Sequence, residues 1–294
     1  MPSAIKRTTA QIPVIDISSS NDQAAGQLLA AAASFGFVFV KNNDAGIPPE
    51  DIETMFNLRG DFKEAFNIGE YENNAPAQPL SGPLAAHPDT IGAFADACHA
   101  LCNRVLQLFA IGLNLGADWF TSRHDRCKGP SGSILRLLYY PSIGETSTPD
   151  ADDIRAGAHS DYGSVTLLFQ LPGQPGLEIL TPEGEWAAVP VDPSGTLSDG
   201  RNGARSTALP ILVNIGDLLS YWTNNLLKST VHRVIFPREG RQGGEDRYSI
   251  AYFCHPLDDA ELVPVPSKTV QEYSDDRGAR ARRGEKTQSR PRII

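Results

Sequence analysis

From Ser133 onward the chain alternates short apolar runs with turns rich in proline, glycine and aspartate. Seven of these runs are strand-like in length and composition. They cover residues 133–140, 164–170, 177–180, 186–191, 211–215, 231–236 and 247–253. Because most of them are not separated by a helical pattern, they predict an antiparallel sandwich or barrel.

Helical patterns precede this β-rich part. One covers residues 22–35, a second begins within Pro48–Asp51, and the longest runs from Thr90 to about Gly116. The longest repeats apolar residues at helical spacing, so one of its faces should lie on a sheet. Between the first two helices, Gly36–Val40 is short, apolar and β-branched, and it predicts a strand.

Three regions follow from this order. We expect a helical and strand layer over residues 1–132, a β core over residues 133–265 and a loose tail over residues 266–294. The tail is strongly basic and has no apolar face, which favours a solvated, disordered end. Within the core, residues 193–208 are polar and rich in glycine and serine, as in a surface insertion.

Composition limits the classes of function. The net charge of −9 argues against general nucleic-acid binding, because phosphate recognition needs a basic surface. The four cysteines contain no CxxC pair and do not form a disulfide framework for a chain of this size. A signal peptide and a membrane-length apolar stretch are not expected. We expect a cytoplasmic monomer with a small-molecule substrate and no nucleic-acid or membrane partner.

A His-x-Asp pair and a distant histidine are the first candidate site. His159 and Asp161 lie at the start of a strand-like run, and in a strand two residues that are two apart face the same side. His232 lies in another strand-like run. Two histidines and a carboxylate are the ligands of the facial triad of non-haem iron(II) oxygenases. The pair alone is a weak signal, and each histidine could equally be structural.

Arg247 and Ser249 form a second pair with the same spacing, on an apolar strand that follows His232. A buried guanidinium needs a partner, because an unpaired charge is costly to bury. An anionic ligand bound in bidentate fashion, with a hydrogen bond from the neighbouring hydroxyl, is one explanation. A structural Asp or Glu partner is the other.

Together, the order and spacing of these residues resemble the 2-oxoglutarate/Fe(II) dioxygenases, in the isopenicillin-N-synthase-like branch and closest to its fungal members. The resemblance extends from about residue 10 to residue 265. Its further segments are Ile12–Asp16, Gly36–Val40, Leu135–Pro141, Gly176–Leu180 and Asn214–Asp217. It implies a mainly β fold with helices, in which a double-stranded β-helix (jelly-roll) core is flanked by N-terminal helices.

The resemblance also implies roles for matching residues. His159, Asp161 and His232 would bind Fe(II), and Arg247 and Ser249 would bind the distal carboxylate of the cosubstrate 2-oxoglutarate. Tyr140 matches a tyrosine that positions the cosubstrate, and Arg136 is a weaker candidate for the same pocket. Plant members often carry asparagine where this chain has Leu138, so that contact is absent or replaced. Beyond the metal ligands, no catalytic side chain is expected.

The implied reaction consumes O₂ and 2-oxoglutarate, releases succinate and CO₂, and hydroxylates, desaturates or cyclises a small organic molecule, with secondary metabolites and heterocycles as candidates. Isopenicillin N synthase itself uses no 2-oxoglutarate, so the fold alone does not assign the cosubstrate. Two alternatives therefore stay open. One is a non-catalytic jelly-roll binding protein, and the other is an iron oxidase that takes all its electrons from the substrate.

On the substrate side of the expected site, two aromatic residues are candidates for the pocket, and the sequence differs from the family pattern in two places. Tyr162 and Phe253 are candidates for the substrate pocket, although each would also fit as a packed strand aromatic. A stretch that relatives carry between Phe56 and the segment 59–64 is absent here. The sequence after Gln271 does not match the helix that usually closes over the barrel mouth.

Overall fold

The structure is a computed structural model that describes residues 8–58, 65–69, 71–72, 75–80, 82–142, 154–195, 209–235 and 246–282. Most of these residues lie in strands and helices. The strands are β1 (Thr8–Thr9), β2 (Val14–Ile15), β3 (Phe37–Val40), β4 (Ala65–Ile68), β5 (Tyr71–Glu72), β6 (Ala75–Pro76), β7 (Ile134–Tyr140), β8 (Ile154–His159), β9 (Val165–Gln170), β10 (Leu177–Leu180), β11 (Trp186–Ala188), β12 (Ile211–Ile215), β13 (His232–Ile235) and β14 (Arg247–Cys254). The helices are α1 (Ala24–Ser34), α2 (Pro49–Asn57), α3 (Pro88–Gly112), α4 (Asp217–Trp222) and α5 (Lys268–Arg282).

Two sheets form the core. The major sheet has the strand order β2-β3-β12-β9-β14-β7-β4, and the minor sheet has the order β1-β11-β10-β13-β8. Neighbouring core strands pair antiparallel, while β1 and β2 join the sheet edges in parallel. This is the jelly-roll architecture expected from the sequence, with N-terminal strands adding to both sheets.

The period-two alternation of the strands separates two apolar clusters. On β14, Ile250 and Tyr252 face outward and belong to the large core beneath the helices. Ala251 and Phe253 face the space between the sheets. The helix α3 covers the outer face of the major sheet with twelve buried residues. Helices on one side therefore leave the inner faces of the two sheets available for a cavity.

The predicted elements are largely present. The three N-terminal helices form near their expected bounds, and all seven strand-like runs contain a strand. The strand β8 was not predicted, since its sequence, Ile-Arg-Ala-Gly-Ala-His, has few strand-forming residues. Most of the proposed insertion, residues 196–208, lies outside the described residues.

The expected loose tail departs from the structure, because residues 268–282 form α5. Val270 is buried, and the Ser267 hydroxyl donates to the carbonyl oxygen of Leu113 at 2.7 Å. Tyr273 accepts a hydrogen bond from Lys228 at 2.8 Å. These few contacts hold a helix whose composition is otherwise polar. Residues 283–294 lie outside the described part of the chain.

Among the described residues, no helix combines the length and the apolar character that a bilayer crossing requires. The cysteines are free thiols, as the sequence predicts, and Cys98, Cys102 and Cys254 are buried.

Candidate active site

His159, Asp161 and His232 meet at one end of the cavity between the sheets. His159 is the last residue of β8 and pairs directly with His232, the first residue of β13. Asp161 Oδ1 lies 3.8 Å from His159 Nε2 and 3.6 Å from His232 Nε2. One possible ligand atom from each residue lies within 4.8 Å of the other two, a spacing that one metal ion can bridge.

The pair His159 and Asp161 lies at the end of a strand, whereas the sequence pattern placed it at the start of one. Asp161 follows β8 in the connection to β9, so the two side chains do not converge by strand alternation. Instead, the backbone N–H of Asp217 donates to the Asp161 carbonyl oxygen at 2.7 Å and fixes this connection. The spacing of the motif was therefore informative, but the local geometry behind it is a turn.

The Asp161 carboxylate is held by its second oxygen. Oδ2 accepts hydrogen bonds from Thr166 Oγ1 at 2.7 Å and from Asn214 Nδ2 at 2.6 Å. All three residues are buried. This arrangement leaves Oδ1 directed at the two imidazoles. Neither Thr166 nor Asn214 was assigned a role from the sequence, although Asn214 lies in a segment that carries the family resemblance.

Each imidazole presents its Nε2 atom to the same point. His159 Nδ1 lies 2.7 Å from the carbonyl oxygen of Gly157, and His232 Nδ1 lies 3.1 Å from that of Thr230. A carbonyl only accepts, so both Nδ1 atoms carry the proton and both Nε2 lone pairs are available to a metal. Burial lowers the pKa of His232, which favours the neutral ring that a metal ligand requires.

This donor set fits ferrous iron. Two imidazoles and one carboxylate, without a thiolate, match the facial triad that leaves coordination positions open. Iron bound there would supply O₂ activation, with 2-oxoglutarate as the source of electrons. The protein side chains fix the ligand orientation and shape the cavity around it.

Arg247 lies at the other end of the cavity. It is 2% exposed, and among the described residues it has no carboxylate partner. Its terminal nitrogens approach Ser249 Oγ and Gln170 Oε1, both at 3.3 Å, while its buried Nε has no hydrogen-bond partner. Burial lowers the pKa of the guanidinium to about 10. A carboxylate ligand would satisfy this buried cation.

Tyr140 closes the same end of the cavity. It pairs with Arg247 across β7 and β14, and the guanidinium carbon lies 5.3 Å from the centre of its ring. Burial raises the pKa of the Tyr140 phenol, so the hydroxyl stays protonated and can donate to an anion. Gln170 is a residue of this pocket that the sequence motifs did not indicate.

The triad and Arg247 line one cavity of about 500 Å³. Phe253 and Arg136 line it as well, and the Arg136 guanidinium carbon lies 4.9 Å from the centre of the Phe253 ring. Tyr162, the other candidate for the substrate pocket, does not line the cavity. Its side chain is 54% exposed and its ring lies against His255, because it points outward from the turn after Asp161.

A jelly roll that places two histidines, one aspartate and a buried arginine around one cavity is typical of the Fe(II)- and 2-oxoglutarate-dependent oxygenases. Residues 131–256 match the model of the 2OG-Fe(II) oxygenase superfamily. The chain belongs to this superfamily, and it is a 2-oxoglutarate-dependent dioxygenase of the fungal type.

Relatives and solved structures agree with this membership. The chain is 33% identical to a UPF0676 protein of Schizosaccharomyces pombe, over 87% of this chain and 85% of that protein. It is 31% identical to the 2-oxoglutarate-dependent dioxygenase ecdK of Aspergillus rugulosus, over 74% of this chain and 64% of that protein. A full-length Neurospora crassa protein, solved with alpha-KG and thymine, is 27% identical and superposes with a TM-score of 0.72, covering 90% of this chain and 94% of that one.

These findings confirm the predicted fold, cofactors and reaction class, namely oxidation of a small molecule with iron, 2-oxoglutarate and O₂. They favour the dioxygenase over the two alternatives, the non-catalytic binding protein and the oxidase that needs no cosubstrate. The roles of individual residues remain predictions that rest on the geometry above.

Proposed function

We propose that this protein hydroxylates, desaturates or cyclises a small organic molecule held between its metal triad and the open end of the cavity. The observation that carries the proposal is the shared cavity of about 500 Å³, which joins the triad to the Arg247 pocket. A volume of this size accommodates a cosubstrate together with a small second molecule.

In this proposal, His159, Asp161 and His232 bind Fe(II), and Arg247, Ser249 and Tyr140 bind the distal carboxylate of 2-oxoglutarate. Apolar side chains from both sheets would contact the carbon skeleton of the ligands. They are Leu138, Leu168, Leu177, Val234 and Ala251. Phe253 would offer a ring face to the substrate at the level of the metal.

The candidate substrates are secondary metabolites and heterocycles. The Neurospora crassa relative was solved with thymine, which supports a heterocycle as a first compound to test. We further infer that the protein acts as a monomer in the cytoplasm, without a nucleic-acid or membrane partner. The acidic net charge of −9 supports the absence of a nucleic-acid partner.

The test is product formation from a compound library that includes thymine, with Fe(II), 2-oxoglutarate and ¹⁸O₂. Mass spectrometry should find a product that has gained one labelled oxygen atom or lost two hydrogen atoms, together with succinate. Wild-type protein that forms succinate but oxidises no compound in a broad library would contradict a small-molecule substrate.

A further inference from the structure

Arg136 lies at the metal end of the cavity and far from Arg247. Across β7 and β14, Tyr140 pairs with Arg247 and Arg136 pairs with Ala251. Four residues along a strand span about 13 Å. The Arg136 guanidinium extends further away, since it lies over the ring of Phe253. The distal carboxylate of 2-oxoglutarate would lie nearer to Arg247 than to Arg136, although Arg136 also acts to lower the pKa of the Tyr140 phenol. The expectation that Arg136 serves the cosubstrate pocket stays a prediction.

Along the long axis of the cavity, the Arg136 guanidinium lies at the same end as the metal-binding triad. Phe253 pairs with Thr166, and Thr166 donates a hydrogen bond to the triad carboxylate of Asp161. The substrate must present its reacting carbon near this level. A cation here would contact the substrate and not the cosubstrate.

The orientation of Arg136 is fixed from the edge strand β4. Its Nε donates to Asn67 Oδ1 at 2.6 Å, and Gln78 Nε2 donates to the Asn67 carbonyl oxygen. Within the described part of the chain, Arg136 forms no ion pair, and this hydrogen bond uses only Nε. Its terminal nitrogens can therefore donate to a ligand in the cavity.

When Fe(II) and 2-oxoglutarate are bound in the cavity, no negative charge of the described residues remains there to neutralise Arg136. Bound Fe(II), Asp161 and Arg247 together carry two positive charges, which the two carboxylates of 2-oxoglutarate balance. Arg155 also lines the cavity, but Asp246 interacts electrostatically with it. Among the described residues that line the cavity, Asp161 is the one carboxylate, so no acid there balances Arg136.

We propose that the substrate carries a carboxylate that Arg136 binds, with the adjacent carbon skeleton lying on Phe253. This inference rests on the proposed oxygenase function and adds the chemical class of the substrate. A planar guanidinium binds a carboxylate in bidentate fashion, which would hold the substrate in one orientation near the metal. A neutral substrate would make no charge-assisted hydrogen bond with this half-buried guanidinium.

The test compares acids with their neutral primary amides as ligands. Benzoate, phenylacetate and hexanoate are each paired with benzamide, phenylacetamide and hexanamide. Binding is measured by calorimetry without O₂, on protein loaded with Fe(II) and 2-oxoglutarate. At least one acid should bind about 10-fold more tightly than its amide, as expected for one charge-assisted pair.

Substitutions test whether Arg136 causes the tighter binding of acids than of amides. Arg136→Met should remove it while leaving 2-oxoglutarate affinity unchanged, and Arg136→Lys should keep part of it even if the methionine variant folds poorly. Arg126→Met, which removes a half-buried arginine paired with Asp96 outside the cavity, is the matched control and should behave as wild type.

Different results would overturn the substrate class and the proposed oxygenase function. If 2-oxoglutarate binds normally but no acid binds more tightly than its amide, or if Arg136→Met keeps the preference, the substrate class is overturned and the oxygenase function stands. If wild-type protein binds no 2-oxoglutarate, the proposed function itself is overturned, and the substrate inference with it.

Discussion

The surroundings of a single residue, Arg247, indicate that it binds an anionic ligand. An arginine that is 2% exposed and has no acidic partner among the described residues would be costly in a finished core. Its hydrogen-bond partners are a neutral hydroxyl and a neutral amide, which orient the guanidinium without neutralising it. The unsatisfied Nε and the lowered pKa, about 10, both describe a cation prepared for an anion.

Replacing Arg247 with glutamine should weaken 2-oxoglutarate binding by roughly 30-fold or more, because removal of one partner of a buried charge pair costs about 2–5 kcal/mol. Calorimetric titration of 2-oxoglutarate measures the change. Arg126→Gln, at a half-buried arginine that does not line the cavity, is the control and should bind normally. An unchanged affinity in Arg247→Gln would assign this arginine a purely structural role.

The candidate metal and cosubstrate residues could be selected from the sequence because the chemistry restricts their types and spacing. Thr166 and Asn214, which hold Asp161, could not be predicted. Each is a short polar side chain within an apolar strand run. Asp161 is 53 residues from Asn214, and although it is only five residues from Thr166, the turn between them brings the two side chains together. Tyr162 was a candidate because it follows Asp161, but it lies in a turn whose direction the sequence did not reveal.

At the scale of elements, the turn between β12 and α4 supports the metal site. Gly216 lies in this turn, and its N–H donates to the carbonyl oxygen of Ser164 at 2.9 Å. A Cβ atom at Gly216 would lie 2.1 Å from the carbonyl oxygen of Gly163 and 3.1 Å from that of Asp161. Its φ of −96° is open to any residue, so only the close approach requires glycine.

Gly216→Ala should therefore displace the segment that carries Asp161. We expect a loss of roughly 1–3 kcal/mol in the free energy of unfolding, as for other overpacked sites, and weaker Fe(II) binding. Denaturant unfolding and metal titration measure the two effects.

Gly26→Ala is the matched control for Gly216→Ala. A Cβ atom there meets nothing within 4 Å, and this helical position should gain roughly 0.5–1 kcal/mol. Equal stability and equal metal affinity in Gly216→Ala and wild type would show that the turn does not position Asp161.

The elements that could not be predicted share a physical cause. The strand β8 has weak strand propensity and forms because β13 pairs with it. The helix α5 is polar and is held by Val270, Ser267 and Tyr273 contacts that span long distances along the chain. The strands β9, β12 and β14 were predictable because their own residues carry the pattern.

At the scale of the whole molecule, α3 lies on the outer face of the major sheet, and no described helix contributes a residue to the cavity lining. The His159 side chain is 48% exposed, although it is a metal ligand. Within the part of the chain that the structure describes, α5 contributes no residue to the cavity lining, so the described helix does not cover the cavity. Covers over an active site exclude water and commit the bound substrate.

An open metal site should oxidise 2-oxoglutarate without always oxidising substrate. We predict that succinate exceeds oxidised product when both are quantified in the same reaction. Adding viscous or crowding agents should not change this ratio, because the cause is local exposure of the site. A ratio close to one would indicate that segments beyond the described residues close the cavity.

The most direct test of the central claim is succinate formation from 2-oxoglutarate in wild-type protein and in Asp161→Ala, with and without Fe(II) and O₂. Wild type should form succinate only when both are present. Asp161→Ala should fall to background while circular dichroism still shows a folded protein, and Asp96→Ala, at an exposed helical position, should match wild type. Normal succinate formation by folded Asp161→Ala, or none by iron-loaded wild type, would contradict the assignment of this triad as the iron centre of a 2-oxoglutarate-dependent dioxygenase.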